Sequence, residues 1–338
     1  MKIYLKETDR QGFNAGSKAR VDADLELERA GYRPRKVTIY RPDANPLARK
    51  IGRLLEIVRL RASIGRRDTV FLQLPLYTFA GKKWIYRFLF GAHKGTINCL
   101  VHDIAGYRDG KGMEDELRYI ISRCDNVIAH TPLMASKIAA DLGMAPERVR
   151  PLGIFDYFTS DPLTPANPAG RTVIFAGNLA QCTYLRRLGE LPGELEFNIY
   201  GVYSDNVRET PRCRYKGKFK PDNVGAIEGD WGLVWHGDAL ETSAGNIGEY
   251  LRIIASHKIS LYLAAGKPVI VWDESSVADF IVANNLGIAV GSLFDVAPAL
   301  AALTPEDHRR IAGGVDAMAR RIRAGGMLTP LIEELDKN

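Results

Sequence analysis

Cysteine is scarce in this chain of 338 residues: Cys99, Cys124, Cys182 and Cys213 lie far apart and form no C-x-x-C pair. That excludes a disulfide framework and a zinc motif, and it fits a reducing compartment. A P-loop is missing, because Gly12 and Gly16 are separated by three residues rather than four and Ser17 intrudes before Lys18. The G-x-G-x-x-G fingerprint is also missing after the first predicted strand, which removes the main support for a nicotinamide oxidoreductase. No uninterrupted apolar run is long enough to span a bilayer. Met1-Lys2-Ile3-Tyr4-Leu5 meets charge at once, unlike a signal peptide. Low-complexity tracts and short repeats are absent too, so the expectation is a cytoplasmic globular protein.

Acidic residues are scarce in one region. Between Arg29 and Arg67 there are 12 Lys and Arg against Asp43 and Glu56, a local excess of ten in a chain of net charge +6. Such a patch suits an anionic partner surface, either membrane, lipid diphosphate or nucleic acid, against the plainer reading of solvated helix faces. Nucleic acid has no support beyond this patch. Lys82–Gly91 predicts a helix with Trp84, Ile85, Phe88 and Leu89 beside Lys82, Lys83 and Arg87. That face suits peripheral contact with the inner side of a plasma membrane, unless its aromatics are core.

Hydrophobic content of 46% and charged content of 25% can supply cores for two domains. Short apolar runs at Lys2–Leu5, Val37–Tyr40, Thr69–Leu74, Thr96–Val101 and Asn126–Ala129 alternate with helical patterns, including Pro46–Arg61 and Thr131–Leu142. The alternation restarts at Thr172–Ala176, continues through Leu195–Tyr200, Gly232–Trp235 and Gly287–Val290, and includes a helix at Tyr184–Gly189. Strand–helix alternation predicts an α/β protein with parallel sheets covered on both faces. Three prolines in the polar stretch TSDPLTPANPAG mark a linker. The predicted division is 1–157, linker 158–170, 171–320, and a helical tail 321–338 that packs back on the first domain.

Gly245–Asp273 organises the second half. Ser256 is placed as the N-cap of a short helix opening with His257 and Lys258, Gly266 and Pro268 close it, and PVIVW follows as a buried strand. A lysine in the first helical turn opposes the helix dipole by roughly 0.3–1 kcal/mol, a cost that makes sense if an anion is held there; the alternative is a solvated lysine. Ligands of doubly wound sheets sit beyond the carboxyl ends of the strands. Those ends carry Gly177-Asn178, His236-Gly237-Asp238, Asp273-Glu274 and, in the first half, Gly12–Lys18 and His102-Asp103. Glu249 is a candidate contact for a sugar hydroxyl, while Trp231, Trp235 and Trp272 read as core.

The segments FAGNL (Phe175–Leu179), GLVWHGD (Gly232–Asp238), HKISLYLAAGKPVIVW (His257–Trp272), IVANNLGIAV (Ile281–Val290) and VHDI (Val101–Ile104) resemble one group of bacterial glycosyltransferases. It includes β-1,6-galactofuranosyltransferases of polysaccharide synthesis and the glucosyltransferases that extend N-acetylglucosamine on serine-rich adhesins. The resemblance implies a GT-B fold, two Rossmann-like doubly wound domains facing a cleft. It also implies a UDP-sugar donor held mainly by the C-terminal domain, no metal or other cofactor, and inversion at the anomeric carbon. By this likeness Asn178, Tyr250, His257, Lys258 and Ser260 line the donor site, and Gly16, Ser17 and Lys18 close over it. The paired glutamates of many retaining GT-B enzymes would fall near Ile253 and Leu261, neither of them acidic. Asp103 is the first candidate for catalytic base and His102 the second; a cap or a pairing with Arg108 is the competing role for Asp103. The acceptor is expected to be a saccharide or a lipid-linked saccharide. Homo-oligomers occur in such relatives, though no heptad seam is visible. A non-catalytic, transferase-like subunit that binds a sugar nucleotide or a partner protein is the competing class.

Overall fold

The computed structural model describes residues 1–8, 15–38, 45–192 and 194–337, and they form two compact units. Within the first, made of residues 1–8, Ala23–Leu152 and residues 328–337, six strands form one parallel sheet. They are β1 (Lys2–Thr8), β2 (Arg33–Thr38), β3 (Thr69–Leu74), β4 (Ile97–Val101), β5 (Asn126–Ala129) and β6 (Val149–Pro151), in the order β2-β1-β3-β4-β5-β6. Between them run α1 (Ala15–Arg29), α2 (Pro46–Ser63), α3 (Lys83–Phe90), α4 (Ala105–Arg108), α5 (Asp115–Ser122) and α6 (Pro132–Leu142). Residues 15–22, the first half of α1, belong to the second unit. The order reverses between β1 and β3, so this sheet's switch point lies beyond their carboxyl ends.

Strands β3 and β4 are buried almost throughout, as central strands covered on both faces must be. Gln73 is the exception in an otherwise apolar FLQL run, and it is buried too. Edge strand β2 carries Arg33, Pro34, Arg35 and Lys36 and buries only Val37, a composition that blunts an edge against further pairing. It begins before the predicted Val37–Tyr40, because a run of charge and proline hides an edge strand. Ile39, Tyr40 and Gly12 lie outside the described residues. The closing helix, Leu328–Leu335, belongs to this unit. There Thr329 Oγ1 donates to Glu26 at 2.7 Å and the Tyr32 hydroxyl to Asp336 at 2.8 Å.

The second unit, residues 15–22 and Gly153–Met327, has its own parallel sheet in the order β12-β11-β10-β7-β8-β9. Its strands are β7 (Thr172–Ala176), β8 (Glu196–Tyr200), β9 (Cys213–Gly217), β10 (Trp231–Val234), β11 (Val269–Trp272) and β12 (Gly287–Val290). Helices α7 (His257–Ala264), α8 (Ala278–Ala283), α9 (Val296–Ala301) and α10 (Pro305–Arg323) belong to it. The order reverses between β7 and β10, again a switch point. Trp231, Trp235 and Trp272 are core. Helix α7 is fixed to the sheet through Tyr262, whose ring fills the space above Gly232 and whose hydroxyl oxygen accepts the Ala176 N–H at 2.8 Å.

Three expectations need adjusting. Thr183–Glu190 is a 3-10 segment rather than an α-helix. Residues 158–170 are part of the second unit rather than a separate linker: the Phe158 N–H donates to Asp22 at 3.1 Å, and Asp161 accepts the Gly225 N–H at 2.8 Å. The division falls after Leu152. Helix α10 continues through Arg323, whose guanidinium donates to the carbonyls of Ala264 (2.9 Å) and Asp161 (2.6 Å), so 321–327 stays with the second unit. Among the described residues no helix is long and apolar enough to cross a membrane.

Candidate functional site

At the switch point of the second sheet, β7 delivers Gly177 and Asn178, β10 delivers His236, and the first turn of α7 delivers Lys258. The Lys258 ammonium lies 3.0 Å from His236 Nε2 and 4.9 Å from the centre of the Phe175 ring. A Cβ on Gly177 would stand 2.7 Å from Lys258 Cε, so the absence of a side chain there lets the lysine lie across the strand end. Among the described residues no carboxylate comes within ion-pair distance of Lys258. Burial lowers its pKa from the usual lysine value. Burial first, and then the Lys258 charge, push the His236 pKa well down, so the ring is neutral at physiological pH. An ammonium has only protons to offer, so His236 Nε2 accepts from it and Nδ1 carries the ring proton.

Around this centre Asn178 is exposed, and its Oδ1 accepts the Ala180 N–H at 3.2 Å as the cap of a 3-10 turn. Asp238 accepts from Thr183 Oγ1 at 2.7 Å, tying the segment after β10 to the one after β7. Ser256 stands at the N-cap of α7, but its side chain makes no capping bond. Glu249 accepts from Arg252 Nε at 2.7 Å.

The other expected donor residues have structural partners. His257 stacks on Tyr157 with centroids 5.1 Å apart and meets Phe155 edge-on at 5.7 Å. On Tyr157 also sits the Lys18 ammonium, 5.0 Å from the ring centre. Lys18 is buried, with Asp22 at 2.6 Å, Asp222 at 2.8 Å and the Phe158 carbonyl at 2.6 Å, so its charge is already matched. Burial pushes the Asp22 carboxyl up to about 6 against the pull of Lys18 and the Phe158 N–H. Ser260 is fully buried and donates its hydroxyl to the Phe155 carbonyl at 2.7 Å. Tyr250 is buried, and Gly16 and Ser17 form part of the first turn of α1.

In the first unit His102 and Asp103 follow β4. Asp103 Oδ2 is 3.4 Å from Arg108 Nη1, a long ion pair. His102 Nε2 is 2.7 Å from Gln73 Oε1, and Gln73 Nε2 donates to Asp24 Oδ1 at 2.6 Å. A carboxylate only accepts, which fixes the Gln73 amide and makes His102 Nε2 the protonated nitrogen. Nδ1 is then the basic one. Sequence reading missed Gln73 and Asp24; a lone glutamine within an apolar central strand was the available signal. Among the described residues no group of three His, Cys, Asp or Glu side chains has metal-holding geometry.

Comparison with known proteins covers both units. Residues 173–335 match the family described as "Glucosyltransferase 3-like, C-terminal domain" and residues 2–142 the one described as "Glucosyltransferase 3-like, N-terminal domain". The chain is 29% identical over 340 residues to β-1,6-galactofuranosyltransferase WbbI of Escherichia coli (strain K12), covering 98% of this chain and 97% of that protein. It is 23% identical over 343 residues to Glucosyltransferase 3 of Streptococcus parasanguinis, covering 99% and 98%. The solved structure of an α-glucosyltransferase in complex with UDP superposes with a TM-score of 0.53 at 11% identity, covering 93% of this chain and 95% of that one. That likeness supports the GT-B architecture already evident in the two parallel sheets. With both family halves matched in order along one chain, this protein belongs to the glucosyltransferase 3-like family of glycosyltransferases.

Proposed function

We propose that the chain transfers a hexose, galactofuranose or glucose, from a UDP-sugar to a saccharide or lipid-linked saccharide acceptor, with inversion at the anomeric carbon. The observation that carries the reading is Lys258: a half-buried ammonium at a switch point, set beside a neutral histidine and lacking a carboxylate among the described residues. Buried charges are normally paired, so a site of this kind favours an incoming anion, and the diphosphate of a sugar nucleotide supplies one. In this reading Lys258 stabilises the departing UDP electrostatically, without a metal. Asn178, Tyr250 and His257 surround the donor, with Gly16 and Ser17 contributing from the start of α1. Lys18 and Ser260, spent on internal partners, position the Phe155–Phe158 segment and the His257 ring rather than touching the nucleotide. The names of the E. coli and streptococcal relatives favour galactofuranose and glucose as the sugars to try first.

Inverting transfer is a single displacement in which the acceptor hydroxyl loses a proton as it attacks. Asp103 is assigned as the base, and a well-placed base contributes about 10²–10⁴-fold. The hydrogen-bonded order Asp24–Gln73–His102 favours a second reading, in which His102 Nδ1 takes the proton. The test is a binding screen of UDP-glucose, UDP-galactose and UDP-galactofuranose, followed by turnover of the tightest donor against an acceptor panel. Asp103→Asn should lower turnover at least tenfold with UDP affinity retained; near-wild-type turnover removes Asp103 from the role and turns attention to His102. No turnover with any donor would leave the non-catalytic alternative standing.

A further inference from the structure

The first unit exposes apolar side chains where a soluble surface would place polar ones. On α2, Ile51, Leu54, Leu55 and Val58 recur at helical spacing on one face, and on α3 Trp84 and Phe88 stand one turn apart; all six are between 46% and 56% exposed. The two helices pack together, and Arg53 of α2 lies close enough to Lys82, the cap of α3, to lower its pKa alongside burial. The exposed apolar stripes therefore belong to neighbouring helices. Scattered exposed hydrophobics need no explanation, but contiguous ones mark an interaction site.

Charge identifies the partner. Residues 45–94 contain 11 Lys and Arg and only two acids, Glu56 and Asp68. Both acids are engaged internally: Glu56 accepts the Thr38 N–H at 2.6 Å, and Asp68 pairs with the Met1 ammonium at 3.0 Å and accepts the Gly65 N–H at 2.8 Å. Neither is exposed, so every exposed ionic side chain described in this stretch is positive. Beside α2 lies a cavity of about 450 Å³ whose lining includes Arg35, Lys36 and Arg59 together with Leu55 and with Glu56, whose carboxylate is taken up by the Thr38 N–H. Apolar side chains at the height of basic ones match the boundary between acyl chains and anionic headgroups. An acidic protein would complement the charge but not a convex apolar ridge running along two helices.

We propose that the α2–α3 face of the first unit docks on an anionic lipid surface, its apolar ridge entering the headgroup boundary and Arg35, Lys36 and Arg59 receiving a lipid phosphate. Trp84 offers a direct probe, because the other three tryptophans are core residues. The wild-type protein should sediment with vesicles of phosphatidylcholine containing 30 mol% phosphatidylglycerol (about a third, enough to make the surface anionic) and not with phosphatidylcholine alone, with binding lost as salt rises. Brominated acyl chains in the anionic vesicles should quench Trp84, and Trp84→Phe should remove the quenching. Exchanging Ile51, Leu54 and Val58 together for Ser should weaken vesicle binding at least tenfold while the protein remains folded and its UDP affinity is kept. Absent binding to anionic vesicles, unquenched Trp84, or equal binding to neutral vesicles would overturn the proposal. So would light scattering that shows a wild-type oligomer dissociating in the triple variant, since the ridge would then face a second copy of the chain.

Discussion

Replacing Lys258 by Met keeps most of the side-chain volume and removes only the charge and its donors. A unit charge facing a phosphate oxygen at 4 Å, with an effective dielectric near 20, gains about 4 kcal/mol. Part of that is returned, because the diphosphate exchanges water for the ammonium; charge-assisted hydrogen bonds retain a net of about 1.5–3 kcal/mol. Taking 2–3 kcal/mol, UDP should bind roughly 30- to 150-fold more weakly. Stability should behave differently. The variant loses the 3.0 Å bond to His236, worth about 1 kcal/mol, and is relieved of a desolvated cation lacking a carboxylate partner, an offset of similar size. Its Tm should stay within about 3 °C of wild type. Titration calorimetry with UDP, beside a thermal melt of the same samples, reads both quantities. A dissociation constant within threefold of wild type in a folded variant would refute the assignment of Lys258 to the diphosphate.

Gly177→Ala would place a methyl 2.7 Å from Lys258 Cε, the far end of a flexible side chain; the lysine should swing aside with little change in Tm and a loss of UDP affinity of about tenfold (about 1.4 kcal/mol), measured by the same titration. Gly232→Ala is a contrast, because its Cβ would fall 2.1 Å from Tyr262 Cγ in the core; overpacking of this kind costs about 1–3 kcal/mol, and an unshifted denaturation midpoint would contradict it. For pH, the folded-state pKa of His236 lies below its unfolded value, so as pH falls below about 6.5 the unfolded chain binds the proton first and stability declines. His236→Gln lacks that component, and denaturant melts should show wild type losing stability relative to the variant between pH 7 and 5.5.

The sheets were legible where strands are buried on both faces. Thr69–Leu74, Asn126–Ala129 and Thr172–Ala176 have the bounds that their apolar runs indicate, and so does Gly287–Val290, an edge strand whose GIAV run is apolar although only its end residues are buried. Strands β6 and β9 were not legible, because they lie at sheet edges and need no apolar run: VRP buries one residue fully and CRYKG one. The division of the chain was placed a few residues late for a related reason. Proline-rich polar sequence resembles a linker whether its polar groups face water or, as with Phe158 and Asp161, bond back to a folded unit.

At the site, chemistry that depends on one residue was easier to read than chemistry that depends on a pair. Lys258 announces itself by its place at the start of a helix, but its neighbour His236 is 22 positions away, and only folding sets the two nitrogens 3.0 Å apart. Lys18 shows the reverse case. Its i,i+4 relation to Asp22 stood in the sequence but went unread there, where Lys18 was expected to close over the donor, and the second carboxylate, Asp222, comes from a distant loop. The two lysines then differ in one respect on which the roles proposed for them rest. Lys18 has two carboxylates within 2.8 Å and little left to offer an anion, whereas Lys258 has a neutral imidazole. A lysine retained at the carboxyl ends of a parallel sheet, made room for by a glycine and left without a carboxylate among the described residues, is costly to the empty protein and favourable once a phosphate arrives. That asymmetry, rather than the presence of basic residues as such, is the physical reason to place the nucleotide beside Lys258 and not beside Lys18.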